Sequence, residues 1–599
     1  MERKIELCLV YRDMWQSSGK YVPRVDQLLK VAQPIIDMGC FSRIETNGGA
    51  SEQVNLLYGE NPNSSVRAWC KPFNDAGIQT IMLERGLNSL RMFPTPKDVR
   101  ELMCKVKKAQ GVDIMRSFDG LNDYRNLELS IKYAKKYGLI SQTAIAITHS
   151  PVHTLEYYMN FVDKIVEYGA DEICLKDMAG VGRPVFLGKL VKEIKTKYPH
   201  LRIQYHGHTG PGFAMASILE VCKAGADIID VAMEPLSWGM VHADVIAVVN
   251  MLQDAGFDVP NINMKAYMKV RALTQEFIDD FLGFFINPRN RICNSMLIGC
   301  GLPGGMMGSM MSDLQGVQNS INRNLIKEGK EPLSENEMLT TLFDEVRYVW
   351  PKLGYPPLVT PFSQYVKNVA LMNILQASMG KPRFSMMDEN TWGMILGKMG
   401  RLPGEVADEL KALANEKGYE FYTGNPQDNY PDDLDNYRQK MQEKGWEEGE
   451  DEEELFEFAM HERQYLDFKS GIAKERFMKE LDELEAKKLS EEHKQEEPID
   501  LSNDEWQRMI IDRERRKNPN AKAVVSPCSG IVIWEISNDG ESTPPPEGTK
   551  FEEEEIICYV LNHLGANEQV KALYSGKLID IIKRQGAIVK KGDVIAFID

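Results

Sequence analysis

The sequence predicts an α/β protein: a (β/α)8 TIM barrel, then a helical extension, then a small β barrel-sandwich. Three observations carry that prediction. Eight short apolar runs, each followed by a helical pattern, fill about 240 residues at the N-terminus, a spacing of one βα unit per run. No glycine-rich phosphate fingerprint follows the first run, which argues against a doubly wound open sheet. The last stretch repeats itself weakly: SGIVIWEIS…EGTKFEEEEIICYVL resembles SGKLIDIIKRQGAIVKKGDVIAFID, each half reading SG, strand, glycine turn, apolar strand.

The predicted barrel strands begin at Ile5, Arg43, Ile78, Val112, Gln142, Glu172, Arg202 and Ile228. Stretches such as RNLELSIKYAKKYG and TLEYYMNFVDKIVEYG supply the helices between them. Residues 241–470 are mainly helical, with breaks at GCGLPGGMMGSM and KLGYPPLVTPFSQ. We divide the chain into a barrel (1–305), a helical extension (306–470), a charged helix and linker (471–520) and the β domain (521–599). That agrees with 599 residues, too many for one ordinary core.

Composition narrows the function classes. Hydrophobic residues are 43% and charged residues 27%, the balance of a soluble globular protein. A net charge of −17 argues against nucleic acid or an anionic membrane as a broad partner. Residues 441–500 hold 21 acidic and 9 basic side chains, a net of −12. Within them WEEGEDEEELFEF, from Trp446, reads as a solvated helix face or loop. No segment suits a signal peptide or a membrane span, and the ten cysteines form no CxxC pair, which fits reduced thiols.

A TIM barrel carries its chemistry at the C-terminal ends of its strands, and polar residues collect there. The first strand ends in Arg12-Asp13 with Gln16 one turn on, the third in Glu84-Arg85-Gly86, and the fourth and fifth in Asp119 and His149. The sixth ends in Lys176-Asp177 and the seventh in His206-Gly207-His208. Residues i and i+2 of a strand share a face, so His206 and His208 converge as metal-ligating imidazoles do, and Asp13 can add an oxygen across the mouth. Lys176 is out of place beside a cation, and so lies outside the coordination sphere or is modified. Arg12 and Arg85 suit a substrate carboxylate or a structural ion pair.

These residues lie in motifs that resemble the carboxyltransferase subunits and domains of biotin-dependent enzymes: the oxaloacetate decarboxylase α subunit, the pyruvate carboxylase carboxyltransferase subunit and the transcarboxylase 5S subunit. The motifs are YRDMWQS (11–17), IETNGGA (44–50), FDGLNDYRNLE (118–128), SPVHTLEYY (150–158), CLKDMAG (174–180), HGHTGPG (206–212) and LPGGMMGSMMSDL (302–314), in the family's order. The resemblance implies carboxyl transfer between carboxybiotin and a 2-oxo acid at a divalent metal such as zinc, manganese or cobalt. It implies ligands Asp13, His206, His208 and a carbamylated Lys176, with Arg85 on the substrate carboxylate and Arg12 and Gln16 orienting the site. It further implies Thr360 as proton shuttle and Ser363 in the biotin pocket. The expected partners are a biotin carrier, a biotin carboxylase or membrane decarboxylase subunit, and further copies of the chain.

Two departures bear on substrate and carrier. Where the family reads RGxNxxGY, this chain reads RGLNSLRM, so Arg91 and Met92 either reshape the acyl pocket or leave it unchanged with Arg91 in solvent. The β domain resembles biotinyl and lipoyl carriers, but alignment puts Gly565 where the carrier lysine stands, with Lys571 in the next strand. Biotin is therefore expected in trans, on a separate carrier. The rival readings are an aldolase-type lyase or synthase on the same metal barrel, and a non-catalytic scaffold subunit.

Overall fold

The computed structural model describes residues 3–19, 21–300, 307–327, 331–495, 505–534, 545–562 and 566–599. They form two compact units, Met1–Met478 and Lys479–Asp599. Among the described residues no helix is long and apolar enough to cross a membrane.

In the first unit, eight parallel strands close a barrel: β1 (Glu6–Leu9), β2 (Phe41–Gly48), β3 (Gln79–Glu84), β4 (Ile114–Phe118), β5 (Ile140–Ala146), β6 (Glu172–Asp177), β7 (Arg202–Gly207) and β8 (Ile228–Val231). Each falls on one of the eight predicted runs, and pairing of Cys8 with Asp230 closes the ring between β1 and β8. The strands are buried on both faces, which is why they read as apolar runs rather than alternations. The helices between them carry local start and stop signals. In Leu155–Tyr168, for instance, the Thr154 side chain accepts the Tyr157 N–H, and Gly169 ends the helix at φ 94°.

The barrel interior is not wholly aliphatic. Arg43 makes two 2.7 Å hydrogen bonds to Glu172 and one of 2.9 Å to Gln204, and Gln142 bridges the same two side chains. A layer of Cys8, Val10, Ile81, Ile114 and Ile228 packs beside this network. Arg116 and Asp230, also on inward positions, pair at 2.6 Å. Buried charges persist because each has a partner.

The extension brings one segment onto the barrel mouth. Helices Met307–Lys327, Glu335–Lys352 and Phe362–Ser378 share a core that includes Leu342, Val346, Val349, Phe362 and Val366. Just before the third helix, Val359 packs on Phe118, Ala144, Ala146 and Cys174, which face into the barrel along β4, β5 and β6. The acidic run departs from expectation. Helix Glu453–Met460 is not a solvated face: Leu455, Phe456, Phe458, Ala459 and Met460 are buried, and so is Glu457. Its apolar side packs on helix Lys97–Ala109 of the barrel, and that burial outweighs the charge of the run.

The second unit contains two four-stranded sheets. One has the order β13 (Asn567–Lys571), β12 (Ile556–Asn562), β10 (Gly530–Ile533), β15 (Ile588–Val589). The other has the order β11 (Lys550–Phe551), β14 (Gly576–Ile581), β16 (Val594–Ile598), β9 (Lys522–Val525). The halves interlock: β10 and β12 of the first accept β15 of the second, while β14 and β16 of the second accept β11 of the first. Val532, Trp534, Val560, Leu578, Ile595 and Ile598 fill the space between the sheets. Gly565, the position aligned with the carrier lysine, and Pro303–Met306 of the LPGGM motif lie outside the described residues.

Candidate active site

Asp13 occupies the first turn of helix Tyr11–Ser18, directly after β1. His206 and Gly207 close β7 and His208 follows. The glycine between the histidines leaves room for the Tyr205 ring: a Cβ at 207 would lie 2.3 Å from the Tyr205 hydroxyl. Asp13 Oδ2 lies 3.3 Å from His208 Nε2 and 3.6 Å from His206 Nε2. The two Nε2 atoms stand 3.2 Å apart.

The outer partners fix the tautomers. His206 Nδ1 lies 2.7 Å from Asp230 and His208 Nδ1 lies 2.8 Å from the Met240 carbonyl, and both oxygens can only accept. Each Nδ1 therefore carries the proton, and each Nε2 presents a lone pair to the same point. Two lone pairs at 3.2 Å repel unless a cation lies between them. Burial keeps His206 neutral, its pKa far below the usual value, and Lys176 and His242 reinforce this. Burial alone would raise Asp13, but Arg12 and the neighbouring imidazoles hold its carboxyl well below the usual range. Two imidazole Nε2 atoms and an ionised carboxylate with an unpartnered Oδ2 fit a divalent ion. Donors ~2.1 Å from one ion sit roughly 3.4 Å from each other in tetrahedral geometry, close to the separations seen.

Lys176, on an inward position of β6, places Nζ 3.0 Å from His206 Nε2, and burial lowers its pKa to about 8. Arg12 is committed to protein groups: its guanidinium bonds Glu45 and Gln16 and lies 3.3 Å from Asp13 Oδ1. It is thus a structural ion pair that orients the first helical turn. Arg85 is different. Its guanidinium donates to the carbonyls of Leu90 and Arg91 at 3.0 and 3.2 Å, and no described carboxylate lies within 4 Å. Burial and the nearby Arg12 lower its pKa to about 10. The second glycine of IETNGGA makes room for Arg85: a Cβ at Gly49 would meet Arg85 Nη1 at 2.6 Å and the Leu90 carbonyl oxygen at 2.5 Å.

Thr360 is half-buried beside Val359, and its carbonyl would lie 3.6 Å from a Cβ on Gly120 in the loop after β4. Ser363 is buried in the first turn of Phe362–Ser378. Other strand-end residues do not join the site. Glu84 is buried with Arg100, Ser117 and Ser130 as its electrostatic neighbours, Asp119 caps its own loop through the N–H groups of Leu121 and Asp123, and His149 is exposed. Arg91 does not face solvent. It is buried and donates to the carbonyls of Ala459 and Met460, the C-terminal end of a helix, where a cation is favoured.

Sequence reasoning missed His242, Asp230 and Glu45. His242 stands in the loop after β8, whose end had no polar candidate named. Both of its ring nitrogens are buried without a hydrogen-bond partner, and Nδ1 lies 3.7 Å from Asp13 Oδ2. Asp230 and Glu45 point into the barrel from β8 and β2, and their parity with the metal-facing residues was the available signal.

Comparison with known proteins bears on the fold and the family. Residues 331–512 match a family described as a conserved carboxylase domain, and residues 122–274 match the HMGL-like family. A pyruvate carboxylase subunit of Methanocaldococcus jannaschii is 30% identical over 465 residues, covering 78% of this chain and 77% of that one. The methylmalonyl-CoA carboxyltransferase 5S subunit of Propionibacterium freudenreichii is 29% identical, covering 71% and 79%. The carboxyl transferase domain of Rhizobium etli pyruvate carboxylase, solved with pyruvate, has the same fold at a TM-score of 0.66 and 23% identity, over 80% of this chain and 78% of that one. By its fold and these relatives, the chain belongs to the carboxyltransferase family of biotin-dependent enzymes.

Proposed function

We propose that this chain transfers a carboxyl group between carboxybiotin, presented by a separate carrier protein, and a 2-oxo acid of the pyruvate or oxaloacetate type. One observation carries the substrate class. The barrel mouth combines a donor cluster suited to a divalent cation with Arg85, a guanidinium that has no acid partner among the described residues. A 2-oxo acid offers oxygens to the first and a carboxylate to the second. Arg91 spends its charge on helix carbonyls, which supports a pocket without an added cation.

Asp13, His206 and His208 would hold the metal, which supplies Lewis acidity toward the oxo group. Lys176, 3.0 Å from His206 Nε2, is in position to join them as the carbamate that the family resemblance implies. Arg85 binds the substrate carboxylate, while Arg12 and Gln16 keep the Asp13 turn in place. The Thr360 hydroxyl takes a proton from the substrate methyl carbon and passes its own to the ureido nitrogen as the N–carboxyl bond breaks. The new carbon–carbon bond forms on the deprotonated carbon, so charge balances. Ser363 lines the pocket for the biotin ring. Relatives named as subunits of pyruvate and 2-oxoglutarate carboxylases support a carrier and a biotin carboxylase as partners. An aldolase-type reaction on the same barrel would leave the Val359–Ser363 segment at the mouth without a task.

Exchange of labelled carboxyl between a biotinylated carrier and a panel of 2-oxo acids tests the reading. Thr360→Ala is expected to keep the fold and metal but slow exchange by ~10²–10⁴-fold. Exchange within a few-fold of wild type rules out Thr360 as the shuttle. Absence of exchange with every acid, in metal-loaded wild type, overturns the transfer reaction itself.

A further inference from the structure

We infer that His242 is a direct ligand of the metal, so that this chain holds its divalent ion with one carboxylate and three imidazoles. The inference rests on the metal site of the proposed function and adds a donor to it. His242 is fully buried in the loop after β8 and antiparallel to His208 through an isolated bridge. Its ring centroid is 4.3 Å from that of His206 and 4.1 Å from that of His208. One donor atom from each of Asp13, His206, His208 and His242 falls within 4.8 Å of all the others.

The ring has no other use for its nitrogens. A neutral imidazole has one N–H to give and one lone pair to fill, and burying both unpaired costs ~1–3 kcal/mol each. Here neither nitrogen has a hydrogen-bond partner, although both lie in the barrel mouth. His206 and His208 each have an outer partner fixing Nδ1, whereas His242 turns Nδ1 toward Asp13. Binding through Nδ1 satisfies the lone pair and completes four protein donors before Lys176 is counted. Three imidazoles and one carboxylate favour zinc or cobalt over magnesium or calcium, which prefer all-oxygen sites.

X-ray absorption on the zinc-loaded full-length protein counts imidazoles around the ion. Three are expected in wild type and two in both His242→Gln and His242→Ala, with zinc affinity reduced at least tenfold in each. Two variants of different size separate ligation from packing. A wild-type count of two, with zinc still lost on changing His206 and His208 together to Ala, overturns the role of His242 and leaves the metal site standing. A wild-type protein that takes up no zinc or cobalt overturns both.

Discussion

At the scale of single residues, the site depends on groups placed for what they lack. Asp13 Oδ2, Arg85 and His242 are each buried or half-buried without the partner their chemistry calls for, while Arg12, His206 and His208 have theirs on the outer side. Gly49 belongs to the same logic, since a Cβ there would contact Arg85 Nη1 at 2.6 Å and the Leu90 carbonyl at 2.5 Å. Gly49→Ala should therefore displace the guanidinium. We expect KM for the 2-oxo acid to rise about tenfold or more, as for loss of a ~1.5–3 kcal/mol charged hydrogen bond, with metal content unchanged. Steady-state kinetics and metal analysis check this, and an unchanged KM would remove Arg85 as the carboxylate anchor. The strand-end residues were legible in the sequence because period-two parity and the strand-to-loop transition are local signals. His242 was not, because its meeting with His208 is made by a loop that closes over the mouth.

At the scale of elements, the extension and the barrel are joined by a buried ionic cluster. Lys107 of helix Lys97–Ala109 lies 2.8 Å from Glu52 of helix Gly49–Tyr58 and 3.6 Å from Glu457 of helix Glu453–Met460. His461 Nε2 stands 3.9 Å from Glu52, Arg85 and Arg91 face the cluster from neighbouring elements, and Glu454 faces it from the helix of Glu457. Two carboxylates share one ammonium, so a proton neutralises the excess charge. Burial, then Glu52, raises Glu457 well above the usual carboxylate pKa. A raised acid stabilises the fold fully below its unfolded pKa, and that contribution is lost as pH rises toward the folded value. Glu457→Gln keeps the shape and removes the titration. Its Tm relative to wild type should therefore be higher at pH 8 than at pH 5, and a pH-independent difference would show that Glu457 is ionised throughout. The acidic run was misread from sequence because charge density along the chain hid the apolar side, Leu455, Phe456 and Phe458, which decides the packing.

At the scale of the whole molecule, the order of barrel, extension and β unit was readable because each has a distinct period: one βα unit, a helical repeat, and a doubled β pattern. The interior of the barrel was less readable. A polar residue on an inward position looks the same in sequence as one on an edge, so the Arg43–Glu172 pair gave no local sign of burial. Among described lysines near the half-repeat junction, Lys571 ends β13 and its Nζ lies 3.0 Å from Glu554. Co-expression with an active biotin ligase should leave the intact mass without a biotin increment, and a separate biotinylated carrier should be required for exchange. An increment of one biotin would overturn delivery in trans.

The exchange of β11 and β15 between the two halves of the C-terminal unit constrains how that unit is made. Residues 550–551 find their partner at 576–577, residues 588–589 find theirs at 530–531, and β9 at 522–525 pairs with β16 at 594–598. A half synthesised alone has a sheet short of strands and an open edge. Local hairpins such as β12–β13 can form early, but closure of both sheets awaits contacts more than 50 residues apart along the chain. Folding dominated by such distant pairings is slow for its size, because loop entropy is spent before the contacts return it. The unit should thus assemble in one late, cooperative step, with the nascent first half dependent on what has not yet been translated.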